Sequence, residues 1–348
     1  MSCSLSQKLA DEDVAFEVQS RDLSQLLLTP LPYGQIVELP KGVVTFDRYM
    51  NYKEIMSYIE ELPSKYPDKV NLEELGRSNE DRPIYLITIN RNNNSRKTEK
   101  PVIFIESGAH AREWVSPASA LYLVERLLES PSLLRNAEWR VVPLLNPDGY
   151  VYSWNHDRLW RKNRVPSSDP QCFGVDLNRN FAYHWGEVGS STKPCSAIYQ
   201  GPHPFSEPET QALRDAVLEV QNRTKAYLSL HSYGQLFLYP WGYTTAVNHS
   251  KTGELVTMAE GMARKIKSAS GANYTISGNT GIFLIAGASD DWVASLGVPF
   301  VYTMELRDTG NSAFHLPEEL IASTGEDLWA AMKYLGRQLE KKKKRKRN

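Results

Sequence analysis

Long apolar runs are missing from this sequence. No stretch of about 18 apolar residues occurs, which excludes a membrane-spanning helix. The N-terminus, Met1-Ser-Cys-Ser-Leu-Ser-Gln-Lys, lacks the apolar core of a secretory leader, so no signal peptide is expected there. Cysteine is scarce: Cys3, Cys172 and Cys195 allow one internal disulfide at most. Cys172 and Cys195 flank a loop rich in Gly, Ser and aromatic residues, and could close it or stay as two thiols. A bridge would imply an oxidising compartment. A net charge of one sign is also missing. The formal charge is −1, and because residues 341–347 are all Lys or Arg, the rest of the chain is mildly acidic. That argues against a nucleic-acid groove. The basic run reads as a solvated extension, since like charges repel and cannot pack, with a polyanion-binding patch as the alternative. No internal repeat occurs.

What is present, 41% hydrophobic and 23% charged residues over 348, has the balance of a globular domain large enough for one substantial core. Residues 1–43 hold a polar amphipathic stretch (Leu9 to Leu28) and a Pro-rich segment, and read as a leader and linker. Residues 44–339 alternate apolar strands with helical patterns, and 340–348 are expected to form a basic disordered tail. Helical spacing of Ile55, Met56, Tyr58, Ile59 and Leu62 predicts a helix over 51–66. Another is expected to start at Ser116 with Pro117 in its first position, and further helices near 207–221, 251–269 and 317–339. Strands are expected at 69–76, 83–90, 101–106, 138–145, 225–230, 236–240 and 299–306. The alternation predicts an α/β fold, a mixed sheet covered by helices on both faces, with ligands gathering where strands end and loops begin.

Three strand ends carry chemistry. The strand over 101–106 leads into Ser107-Gly-Ala-His110-Ala-Arg-Glu113, and that over 225–230 ends at His231. Two His and one Glu leave a fourth position open on a cation, the arrangement of catalytic zinc. His-x-x-Glu alone is a weak signal, and a His ending a strand is commonly just hydrogen-bonded. Glu305 lies in an apolar strand with Arg307 and Asp308 beyond it. It could take a proton from water and deliver it to a leaving amine, or pair with Arg307; the two roles are compatible.

His110-Ala-Arg-Glu113-Trp, Leu159-Trp-Arg161-Lys-Asn-Arg, Gly174-Val-Asp-Leu-Asn178-Arg179-Asn-Phe, Leu230-His231-Ser-Tyr233 and Glu305-Leu-Arg-Asp-Thr-Gly appear in this order. Together, over roughly residues 45–338, they resemble the zinc metallocarboxypeptidases of the digestive A/B type. The resemblance implies a mixed eight-stranded twisted sheet between helices, one Zn2+ held by His110, Glu113 and His231, and hydrolysis of the C-terminal bond of peptides and proteins. Glu305 would be general base and acid, and Arg161 would stabilise the oxyanion. Asn178 and Arg179 would grip the terminal carboxylate, a bidentate contact that demands a free C-terminus. Arg112, Tyr233 and Phe314 would line the entrance, and Cys172 would pair with Cys195. Non-proline cis peptides are implied at Ser232-Tyr233, Pro240-Trp241 and Arg307-Asp308. The family relation also implies a monomer secreted as a zymogen, with no nucleic-acid or membrane partner.

In Ala286-Gly-Ala-Ser-Asp290-Asp291-Trp, Asp290 matches the pocket position that sets specificity, and Asp291 one that is acidic regardless. A buried carboxylate facing an ammonium or guanidinium selects C-terminal Lys and Arg, because an apolar guest would leave it unpaired. The alternative is that both Asp residues cap the following helix. Two departures stand out. Phe283 occupies the position of a mobile Tyr that closes over substrate; losing its hydroxyl removes a hydrogen bond of about 1 kcal/mol, several-fold in affinity. Residues 8–28 resemble only the closing part of an inhibitory pro-domain, so that 1–43 would be its remnant and a linker, with Lys41-Gly42 as a candidate cleavage point. These departures favour one rival function, a zinc- or C-terminus-binding protein with little turnover; a second, an enzyme with A-type hydrophobic preference, turns on which Asp enters the pocket. Asn-x-Ser/Thr sequons at Asn93, Asn222, Asn248 and Asn273 support secretion only faintly.

Overall fold

A computed structural model describes residues 39–90, 100–247, 249–278 and 284–345, with side chains described to residue 340. Phe283, Asn93, Asn248, the leader before residue 39 and the end of the basic tail lie outside the described residues.

The strands are β1 (Val70–Arg77), β2 (Pro83–Ile89), β3 (Val102–Ser107), β4 (Glu138–Val142), β5 (Thr224–His231), β6 (Leu236–Tyr239), β7 (Thr275–Gly278) and β8 (Phe300–Glu305). The helices are α1 (Tyr52–Lys65), α2 (Val115–Leu128), α3 (Pro131–Asn136), α4 (Pro147–Asn155), α5 (Pro208–Val220), α6 (Thr252–Ser270), α7 (Ser289–Ser295) and α8 (Ile321–Arg345). All eight strands join one sheet in the order β1-β2-β4-β3-β5-β8-β6-β7. The sheet is mixed: β4, β3, β5 and β8 run parallel at its centre, and β1, β2 and β6 add antiparallel pairings. Parallel strands need both faces covered, which is why β3 (Val-Ile-Phe-Ile-Glu-Ser) is buried at every position.

One face packs on α5 and α7 through Leu213, Val217, Val220, Trp292 and Val293, which meet Phe104, Tyr227 and Val301 of the sheet. On the other side α2 lies against β3 and β5 and is itself packed on α8, which also meets α6. In α1 the expected face is buried, and Asn51 with Glu54 forms a capping box that fixes its start. Gly271 ends α6 at φ 80°, the left-handed conformation that glycine adopts without a Cβ clash.

The structure differs from two expectations: α8 continues to Arg345, into the run expected to be a disordered tail, and the start of α2 is shifted. Its first residue is Val115, not Ser116 or Pro117, because Ser116 does not cap: its hydroxyl donates to Leu230 O at 2.6 Å and accepts from Gly108 N at 3.2 Å. Two short helices (α3, α4) and the edge strand β7 were not expected from the sequence pattern, being too brief to show a period. Cys172 and Cys195 form the disulfide, with Cα atoms 4.8 Å apart. Cis peptides occur at Ser232-Tyr233, Pro240-Trp241 and Arg307-Asp308. No helix among the described residues is long and apolar enough to cross a membrane.

Candidate active site

The central parallel strands end side by side, and their C-terminal ends deliver the site. β3 leads to His110 and Glu113, β5 ends at His231, and β8 ends at Glu305, which is the register partner of His231. His110 and Glu113 are brought round by Gly108, whose φ of 68° turns the chain sharply after β3.

His110, Glu113 and His231 are all buried. Glu113 Oε1 lies 2.8 Å from His110 Nδ1, Glu113 Oε2 lies 3.0 Å from His231 Nδ1, and the two Nδ1 atoms are 3.0 Å apart. Their ligand atoms fall within 4.8 Å of one another, forming a candidate metal site. The donor set fits a divalent zinc ion. Two imidazole nitrogens and a carboxylate converge on one buried point, and two facing lone pairs there are satisfied together by a shared cation. The far side of His110 is fixed as such a ligand requires: Nε2 is 3.0 Å from Asp176 Oδ1, so the proton sits there and Nδ1 is left to coordinate.

Asp176 has no counterpart among the sequence expectations, yet it ties the site together. It is fully buried. Oδ2 accepts from Arg161 Nε and Nη2 at 3.0 and 2.9 Å, and Oδ1 also accepts from Asn178 N at 3.0 Å. One carboxylate thereby orients a metal-ligand candidate, the candidate oxyanion arginine and the turn that carries Asn178 and Arg179. Arg161 also approaches Glu113, Nη1 to Oε1 at 3.9 Å. Asn178 Nδ2 lies 3.4 Å from His231 Nε2, and its Oδ1 accepts from Ser289 N at 2.9 Å. Arg179 is locked by Gly189 O (2.8 Å) and Asn178 O (2.8 Å).

The electrostatics follow from burial and neighbours. Burial works to raise Glu113 and Asp176, but His110 and His231 hold Glu113 low, and Arg161, Arg179 and His110 hold Asp176 low. Burial and Arg161 both depress His110, favouring its neutral, ligating form. Glu305 is pushed up to about 7, mainly by burial, with Glu113 and Asp290 adding to the rise and His231 and Arg161 opposing it. Arg307 does not pair with Glu305. Its guanidinium binds Asp327 instead, at 2.6 and 2.9 Å, and that corrects the ion pair considered from sequence.

The entrance residues also meet: the Arg112 guanidinium stacks over Phe314 at 4.1 Å, and Tyr233 packs edge-on against the same ring at 5.0 Å. Asp290 and Asp291 occupy the first turn of α7, but neither is its N-cap, which is Ala288. Asp291 is clasped by Gly242 N (2.9 Å) and Tyr243 N (3.1 Å). Asp290 accepts from the Thr303 hydroxyl at 2.8 Å.

Against known proteins, residues 55–331 match the zinc carboxypeptidase family. Carboxypeptidase B of Astacus astacus is 41% identical over 292 residues, 82% of this chain and 95% of that protein. Carboxypeptidase B of Rattus norvegicus is 38% identical over 299 residues, 84% of this chain and 71% of that one. Among solved structures, the carboxypeptidase A of Helicoverpa armigera superposes with a TM-score of 0.85 at 30% identity, covering 96% of this chain and 85% of that one.

Proposed function

The chain belongs to the zinc carboxypeptidase family, a family of zinc-dependent hydrolases acting on peptide C-termini, and from that premise we propose that it removes C-terminal Lys and Arg. The observation that carries this preference is the buried pair Asp290 and Asp291. Asp291 accepts from the backbone of Gly242 and Tyr243. Asp290 accepts from the Thr303 hydroxyl and the Asp291 N–H in the first turn of α7, the turn whose Ser289 N–H bonds Asn178, and its carboxylate is the acid we assign to a cationic guest. The relatives' names do not decide the matter alone, because a carboxypeptidase A shares the fold with a TM-score of 0.85.

His110, Glu113 and His231 would hold the zinc, which when bound supplies Lewis-acid polarisation of the scissile carbonyl and acidifies the attacking water. The protein's own groups do the rest. Asn178 and Arg179 bind the substrate's terminal carboxylate and so exclude amidated or internal bonds. Glu305 accepts the proton of the attacking water at its carboxylate and passes it to the nitrogen of the departing amine as the C–N bond breaks. Arg161, held rigid by Asp176, faces the negative charge that develops on the carbonyl oxygen. Arg112, Tyr233 and Phe314 guide the preceding residues, and Phe283 takes, in the sequence, the position of a substrate-covering ring. The Cys172–Cys195 bridge supports an extracellular setting.

The test is release of Arg from one peptide prepared as free acid and as C-terminal amide, with and without a zinc chelator. Chelator-sensitive release from the acid alone is expected. Equal release from the amide would sink the assignment of Asn178 and Arg179.

A further inference from the structure

Glu106, four residues before His110, is a buried carboxyl that touches neither the candidate metal site nor the terminal-carboxylate pair. It is 1% exposed at the end of β3. Its Oε1 accepts from Ser229 Oγ and, at 3.3 Å, from Ser289 Oγ, while Oε2 has no hydrogen-bond partner. An apolar residue would suit a central strand better, since burying a carboxyl costs stability whether it is neutral or charged. Burial accordingly raises its pKa.

The sheet register explains what it reaches. Glu106 is paired with Ser229, and Ser229 with Thr303, so three polar side chains cross β3, β5 and β8 in one row. The first turn of α7 is moored to the two ends of that row. Ser289 Oγ binds Glu106 at one end, and Asp290 Oδ2 takes the Thr303 hydroxyl at 2.8 Å at the other. α7 has only seven residues, and its N-cap Ala288 has no side-chain oxygen, so the turn has no cap of its own. Its position is therefore set by these tertiary contacts, together with the 2.9 Å bond from Ser289 N to Asn178 Oδ1, the clasp of Gly242 and Tyr243 N on Asp291, and the packing of Trp292 and Val293.

We propose that Glu106 is a positioning residue for substrate: by anchoring Ser289 it fixes the first turn of α7, and with it both the Asn178 amide and the Asp290 carboxylate. The proposal rests on the assignment of those two groups to the terminal carboxylate and the basic side chain. Loosening Ser289 displaces both binding groups at once. The metal ligands stay put, because β3 and β5 remain paired along their length.

Two variants of the zinc-loaded full chain test it. Ser289→Ala removes the hydroxyl and keeps the backbone N–H; Glu106→Leu keeps the bulk and removes the acceptor of the Ser289 hydroxyl. The measurements are KM and kcat for a peptide ending in Arg, the Kd of free L-arginine by calorimetry, and bound zinc. Ser289→Ala is expected to raise KM and the L-arginine Kd by about five- to ten-fold, the loss of one hydrogen bond, with kcat within about two-fold and zinc content that of wild type. The double variant should be no worse than Ser289→Ala alone, since both act through one contact. An unchanged L-arginine Kd in Ser289→Ala or in Glu106→Leu, losses that multiply in the double variant, or a fall in kcat at constant KM would overturn the proposal. Wild-type protein that releases Arg but does not bind L-arginine would overturn the pocket assignment itself, and the proposal with it.

Discussion

Replacing Asp290 by Asn should invert the enzyme's order of preference without unfolding it. The carboxylate is 2% exposed and sits in a turn where Asp291 N reaches Oδ1 at 2.9 Å and the Thr303 hydroxyl reaches Oδ2 at 2.8 Å. Asn keeps an oxygen for one contact, and the Thr303 hydroxyl can turn to accept from the new amide, so the local hydrogen bonds survive. The substitution also removes a like charge next to Asp291, whose carboxyl is pushed up to about 8 by burial and by Asp290. On the proposed preference for Lys and Arg, what is lost is the partner of a desolvated guest cation. Removing one member of a buried pair costs about 3 to 5 kcal/mol, so kcat/KM for a peptide ending in Arg or Lys should fall about 10²- to 10³-fold or more. For the matched peptide ending in Phe it should stay level or rise. The assay is initial-rate release of the last residue from the three peptides, with circular dichroism to confirm the fold. Equal losses on Arg and Phe, or an undiminished rate on Arg, would refute the argument that Asp290 faces the guest.

Other perturbations separate the remaining roles. Asp176→Asn should weaken zinc binding about 10- to 100-fold, read by chelator competition, because the His110 tautomer is no longer fixed. It should also lower kcat through Arg161. Gly189→Ala should raise KM at least about five-fold with zinc content unchanged: φ is +67° there, an added Cβ would meet Leu284 O at 1.9 Å, and the Gly189 carbonyl holds Arg179. Glu209 is fully buried, and burial pushes it from 4.5 to about 8. A raised carboxyl favours folding fully below its ordinary 4.5, and that contribution is lost as pH rises through about 8. Glu209→Gln should thus gain thermal stability relative to wild type between pH 5 and 9, with a ceiling of about 5 kcal/mol. Parallel melting curves across that range would contradict it.

Much of the site was legible because its residues end strands whose burial shows in the sequence. Val102 to Ile105 is an apolar run, Tyr227 to Leu230 and Phe300 to Met304 are apolar but for Ser229 and Thr303, and each stops at or just before a coordinating or acidic side chain. The sheet register then does what spacing cannot show, setting His231 beside Glu305. Asp176 was not legible. It is 66 positions from His110, and a single Asp before Asn178 carries no local pattern that points to an imidazole so far away. Ser116 misled for a similar reason: a Ser followed by Pro looks like a helix start, but its hydroxyl is engaged by β5. Glu305 and Arg307 are neighbours in sequence, yet Asp327 on α8 takes the guanidinium. In each case a long-range partner overrode a local signal.

The most direct measurement is a competition in one tube. Four peptides identical except for a last residue of Arg, Lys, Phe or Glu are mixed with the zinc-loaded protein and followed by mass spectrometry. The account predicts that the Arg and Lys peptides are shortened first, at least about 100-fold faster than the other two, as expected when an uncompensated buried carboxylate costs about 3 kcal/mol. Loss of Phe or Glu ahead of Arg would contradict it.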